Sequence, residues 1–128
     1  MPLVEHPINA LSARTIGAAI EVHRHLGPGL LESSYHSCLC HELEPQGIAY
    51  EDQVPLPLTY KGIRLARGYV IDLLIEDSLI VELKAVEQLH PVHSAQLLTY
   101  MRLQGISAGL LMNFNVATLK QGIRRILL

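Results

Sequence analysis

What this sequence has little of narrows its class first. It carries two cysteines in 128 residues, Cys38 and Cys40. Residues so near in sequence do not form an ordinary structural disulfide, which fits a reducing compartment. It lacks any run of about 18 uncharged apolar residues, so its mean hydropathy of +0.26 does not come from a membrane-spanning helix. The opening Met1-Pro-Leu-Val-Glu-His-Pro7 has neither the basic end nor the apolar stretch of a signal peptide. A soluble, cytoplasmic protein is the expectation. There is no basic surplus: ten basic and twelve acidic residues leave a net charge of −2 with histidine neutral. A grip on a nucleic-acid duplex by charge alone is therefore excluded, and any such role must rest on a local site.

What is present points to a packed domain. Hydrophobic residues make up 49% and charged residues 17% of the chain, which excludes a disordered or collagen-like polymer. No repeat, low-complexity tract or linker divides the sequence, and its length suits one core, so residues 1–128 read as a single domain. Ser12 is placed as the N-cap of a helix running to Leu26, which Gly27-Pro28-Gly29 ends. A second helix spans about Leu30 to Leu43. The period then changes: Ile48 to Tyr60, with Pro55 and Pro57, reads as an interrupted edge strand. Lys61-Gly62 is a hairpin turn, Ile63 to Ile75 a strand with a bulge at Gly68, and Leu79 to Val86 a strand. A helix at about Val92 to Leu103, a buried strand at Ile106 to Asn113 and a closing amphipathic helix at Val116 to Leu127 complete the order ααβββαβα. That order makes an α/β sandwich, a mixed central sheet flanked by helices.

The chemistry concentrates in Tyr69-Val-Ile-Asp-Leu-Leu-Ile-Glu-Asp-Ser-Leu-Ile-Val-Glu-Leu-Lys-Ala85. Alternation puts Val70, Asp72 and Leu74 on one face of the first strand, and Ile80, Glu82 and Lys84 on one face of the second. A three-residue turn at Glu76–Ser78 pairs Ile75 with Leu79, and counting back sets Asp72 opposite Glu82. Their Cβ atoms are then roughly 5 Å apart, where like charges repel. A charged, solvated strand face is the plainer account of such residues. A divalent cation is the sharper one, because Mg²⁺ takes one or two carboxylates plus waters. Lys84 on the same face can offset charge and position or activate a water. On the third helix His93, Gln96 and Tyr100 share a face, suited to orienting a substrate. Glu32 and Tyr35 stand one turn apart on the second helix, where Glu32 also favours the helix dipole.

Gly29-x-x-Glu32-x-x-Tyr35, preceded by Ile16-Gly-Ala-Ala-Ile-Glu-Val-His-Arg-His-Leu-Gly-Pro-Gly29, resembles the GxxExxY proteins. These are a largely bacterial family of the PD-(D/E)xK nuclease superfamily. The resemblance runs from about Asn9 to Ile126 and takes in Asp72, Glu82-Leu83-Lys84 and Gln96-x-x-x-Tyr100, which is similar to the QxxxY motif of RecB-like exonucleases. It implies a restriction-endonuclease-like fold with the acidic site at the fork of the central hairpin, and a metal-dependent nuclease, with DNA the favoured substrate. By position it implies Asp72 and Glu82 as ligands of Mg²⁺, with Mn²⁺ as a substitute. The Leu83 carbonyl is then a third ligand, Lys84 the catalytic lysine and Glu32 the helical glutamate. Gln96, Tyr100 and His23 become substrate-positioning neighbours. No motif position departs from the pattern, although the four cysteines of the iron–sulfur nucleases are missing, as is an extra DNA-binding domain.

Two other readings compete. Neutral imidazoles and thiolates crowd the first two helices at His23, His25, His36, Cys38, Cys40 and His41, a set that suits zinc. Spacing argues against it: Cys38 and Cys40 face different directions on a helix, as do His23 and His25. Workable geometry is left only for His36 with Cys40 and His23 across the helix pair. A catalytically silent fold that binds nucleic acid or a protein is the other reading, and the intact acidic set with its lysine counts against it. A domain this small covers a duplex better as a homodimer.

Overall fold

The computed structural model describes residues 7–128, with the side chains of Pro7, Ala66 and Arg67 outside the description. The opening residues, on which the absence of a signal peptide was read, lie outside the described residues. The first helix, α1, runs Pro7–Leu26, and α2 runs Glu32–Leu43. Strands β1 (Tyr50–Tyr60), β2 (Ile63–Ile75) and β3 (Leu79–Lys84) follow, then α3 (Pro91–Gln104), β4 (Ala108–Asn113) and β5 (Ile123–Leu127). The sheet order is β1-β2-β3-β4-β5. Only β3 and β4 are parallel, joined through α3, and the other neighbours are antiparallel. The result is the mixed α/β sandwich that the element order implied.

Two layers of core hold it. On one face Leu73, Ile75, Leu79, Val81, Leu83, Leu110 and Met112 pack with Ala18, Ala19 and Val22 of α1 and Tyr35, Leu39 and Leu43 of α2. On the other, Leu74, Ile80 and Leu111 pack with Leu97, Tyr100 and Met101 of α3. Strand β4 is buried along its whole length, as expected for a strand covered on both faces.

Several turns follow the sequence closely. Tyr60 pairs with Ile63 across Lys61-Gly62, both at positive φ (48° and 79°), the conformation of a two-residue I′ hairpin. Ile75 pairs with Leu79 across Glu76–Ser78. The β1–β2 register shifts between Leu56 and Leu58, where β2 carries its bulge. A Cβ on Gly68 would stand 1.9 Å from the Leu56 carbonyl oxygen, so the two strands approach too closely there for any other residue.

Three expectations are corrected. Ser12 does not cap α1; it lies inside the helix, buried, with a hydroxyl that has no partner among the described residues. The helix begins earlier because Ile8 adds apolar burial ahead of it. The closing helix at Val116–Leu127 is not formed. A short 3₁₀ turn at Leu119–Gly122 leads instead into β5. The backbone of β4 would otherwise present an open edge, and β5 supplies the hydrogen-bond partners by pairing Ala108 with Leu127 through Met112 with Ile123. Finally, the alternation of β2 is interrupted. Leu73 and Ile75 pack towards α1 and α2, whereas Ile71 joins the α3-side cluster. The break falls where β1 and β2 pair Asp52–Leu73 and then Val54–Ile71, leaving Gln53 and Asp72 out of the ladder, with Gln53 at φ 53°.

Candidate active site

The site lies where β2 and β3 part. Their backbone ladder runs from Ile75–Leu79 to Leu73–Val81. One residue further, side chains take over from backbone. The Asp72 backbone N–H donates to Glu82 Oε1 at 3.0 Å, and the Leu83 N–H donates to Asp72 Oδ2 at 2.8 Å. Each carboxylate thus reaches across to the other's strand. Strand parity alone does not bring them together, since the alternation breaks at Asp72; this reciprocal bracing does.

Burial and like charge dominate the electrostatics. Glu82 is 4% exposed. Desolvation first, and the Asp72 charge second, push its carboxyl up to about 8, although the Asp72 N–H and the Lys84 charge pull the other way. Lys84, half-buried at the end of β3, makes no ion pair within 4 Å among the described residues. Its charge is felt at a distance by Glu82 and by His93. Among the described residues the pair therefore has no cation within ion-pair distance.

Glu32 enters from α2, and its placement explains the spacing of the Gly-Glu-Tyr motif. Gly29 takes φ 98°, open to glycine at no steric cost. The Tyr35 hydroxyl donates to the Gly27 carbonyl at 2.6 Å and accepts the Leu30 N–H at 3.1 Å. Its ring is fully buried and stacks on Phe114 at 4.5 Å. Tyr35 thereby fixes the loop from which α2 starts, and Glu32 is the first residue of that helix. Glu32 borders the same cleft of about 330 Å³ as Asp72 and Leu83.

Tyr100 approaches from α3. It is buried against Tyr69, with ring centroids 5.5 Å apart. Burial, then the charge of Glu82, drive its hydroxyl up to about 12, which keeps it protonated and able to donate. Gln96, half-buried one turn earlier, has a side chain with no hydrogen bond among the described residues. His93 lies in the first turn of α3, where Nδ1 accepts the His90 N–H at 3.0 Å. Burial, then the Lys84 and His90 charges, lower its pKa, while Glu32 raises it. Glu32, Lys84 and His93 are therefore electrostatic neighbours.

The model of the PD-(D/E)XK nuclease superfamily matches residues 9–126. The chain belongs to that superfamily. Its members are generally nucleases that use divalent metals. No curated protein and no solved structure matches the chain. No described helix is long and apolar enough to cross a membrane.

His23 is not brought to the acidic cleft of this superfamily member. Its Nε2 lies 2.8 Å from the Val116 carbonyl and its ring packs near Phe114, and it borders a separate depression with Ile20, Gly27 and Thr118. The segment after β4 covers it through Val116, a contact that no spacing within the chain signals. Asn113, by contrast, was missed. Its side chain accepts the Val86 N–H at 3.0 Å and donates to the Val86 carbonyl at 2.9 Å. Together with the Phe114 N–H donating to the Lys84 carbonyl at 2.9 Å, it fixes the backbone from Lys84 to Val86. A buried asparagine at the end of an apolar strand was the available signal.

Proposed function

We propose that this protein is a metal-dependent nuclease hydrolysing phosphodiester bonds, with DNA as substrate. The observation that carries the reading is the Asp72–Glu82 pair, cross-braced at the strand fork and without an ion-pair partner among the described residues. Its donors fit magnesium: each carboxylate keeps one oxygen outside the bracing bonds, and hard oxygen donors suit Mg²⁺, with Mn²⁺ as a substitute. Asp72, Glu82 and the Leu83 carbonyl would hold it. When bound, the cation neutralises the pair and polarises a phosphate oxygen as a Lewis acid.

The remaining roles fall to the chain's own side chains. Lys84 orients or deprotonates the attacking water, whose oxygen bonds to phosphorus as the ester oxygen departs. Glu32, across the cleft, orders that water. Gln96 and Tyr100 offer an amide and a protonated hydroxyl to phosphate oxygens, and being neutral they do not compete for the cation. Gly29, Glu32 and Tyr35 support a place for the chain in the GxxExxY branch, with Tyr35 as its structural anchor. Residues 1–128 act as one cytoplasmic domain, paired as a homodimer to cover a duplex.

The test is a cleavage assay on single- and double-stranded DNA and RNA, with Mg²⁺, with Mn²⁺ and with chelator. DNA cleavage that needs the cation and disappears in Asp72→Asn is expected. No cleavage of any substrate, or cleavage indifferent to chelator, overturns the reading.

A further inference from the structure

Away from the acid pair, the wall between α2 and β1 carries a second group of ligand-type side chains. His36 and Cys40 lie four apart on α2 and so share a face. Asp52 reaches them from β1. The imidazole nitrogen, the thiol sulfur and a carboxylate oxygen all lie within 4.8 Å of one another. His36 Nε2 already stands 3.4 Å from Asp52 Oδ2. Tetrahedral bonds of roughly 2.0–2.3 Å set ligand atoms about 3.3–3.7 Å apart, so the imidazole and carboxylate already stand at ligand spacing and the sulfur lies within 4.8 Å of both. The carboxylate is free to follow, because the Asp52 side chain is 54% exposed while that of His36 is 13% exposed.

We propose that His36, Cys40 and Asp52 form a second metal site, selective for zinc, with its fourth position open to water. One nitrogen, one sulfur and one oxygen donor favour a borderline-soft ion over magnesium. Zinc takes the Cys40 sulfur as thiolate, and the thiol proton passes to solvent. Helix spacing selects His36 and Cys40, but their third ligand is Asp52 of β1 and not His23 across the helix pair, whose Nε2 lies against the Val116 carbonyl. The site also borders the cleft that Glu32 and Asp72 line, since His36 and Asp52 form its other wall. It uses none of the side chains assigned to the nuclease reading and does not depend on it.

Cobalt(II) titration of the full chain tests this, because a thiolate bound to tetrahedral cobalt gives a near-ultraviolet charge-transfer band. The band should appear in the parent protein, be displaced by Zn²⁺ and resist a large excess of Mg²⁺. It should persist in Cys38→Ser and in Asp72→Asn, and vanish in Cys40→Ser. Asp52→Ala alters an exposed side chain and leaves the core intact. It should weaken cobalt binding at least about tenfold, since even residues that merely orient a ligand cost that much. No band in the parent, a band that survives Cys40→Ser, a band lost in Cys38→Ser or Asp72→Asn, or unchanged affinity in Asp52→Ala overturns the proposal. Cleavage absent in every variant while the band remains would sink the nuclease reading and leave this site standing.

Discussion

The buried Glu82 carboxyl makes the stability of the metal-free protein depend on pH in an unusual direction. Its folded-state pKa is raised from 4.5 to about 8. Between those values the folded chain holds a proton that the unfolded chain has lost, so stability falls as pH rises. The contribution is fully present below about pH 4.5 and is lost through pH 8. At about 1.4 kcal/mol per unit, the shift sets a ceiling of about 5 kcal/mol, a large part of a small domain's stability. His93 works the other way, because its lowered pKa makes stability rise as pH climbs through the imidazole range. The cleaner quantity is therefore the difference between the parent and Glu82→Gln, which keeps the shape and removes the titration. Urea unfolding in chelator at pH 5 and pH 8.5 measures it. The parent should lose a few kcal/mol more than Glu82→Gln over that interval, and millimolar Mg²⁺ at pH 8.5 should restore much of the loss, because the ion binds the folded site. Equal pH slopes for parent and variant would refute the argument that burial and Asp72 hold this carboxyl protonated.

Three further outcomes are expected. Asp72→Asn should abolish cleavage yet leave the metal-free protein at least as stable, since an amide oxygen can still accept the Leu83 N–H and one of two opposed charges is gone; Lys84→Ala should also stop turnover but lower the metal-free melting temperature. The opposite pattern, with Asp72→Asn unfolding the protein and Lys84→Ala harmless, would make the acid pair structural. Gln96→Ala and Tyr100→Phe should slow cleavage while calorimetry shows unchanged Mg²⁺ affinity, and loss of metal binding in either contradicts a phosphate-facing role. Tyr35→Phe should cost about 1–3 kcal/mol in urea unfolding, because it strands the Leu30 N–H and the Gly27 carbonyl; a change within error would mean the hydroxyl does not hold the α2 loop.

Much of the frame was written locally in the chain. Lys61-Gly62 and Glu76–Ser78 determined their turns because so few conformations join two strands over two or three residues, and the second of these set Asp72 opposite Glu82 by count. Gly68 marked its bulge, and Gly29, Glu32 and Tyr35 marked the start of α2. What depended on distant partners was not written there. Ile123-Arg-Arg-Ile-Leu127 suits an amphipathic helix as well as a strand, and only the open backbone edge of β4 decides between them. Gln53 carries no glycine-like signal for its left-handed φ, so the break in alternation at Asp72 arises from how β1 and β3 grip β2 from its two sides. His23 read as a neighbour of the acids until the segment after β4 folded over it and gave it the Val116 carbonyl. Asp52 stands twelve residues beyond Cys40 and joins it only because β1 returns beside α2. Sequence spacing determines what one element presents to its surroundings, whereas burial and the contacts between elements determine which of those groups meet.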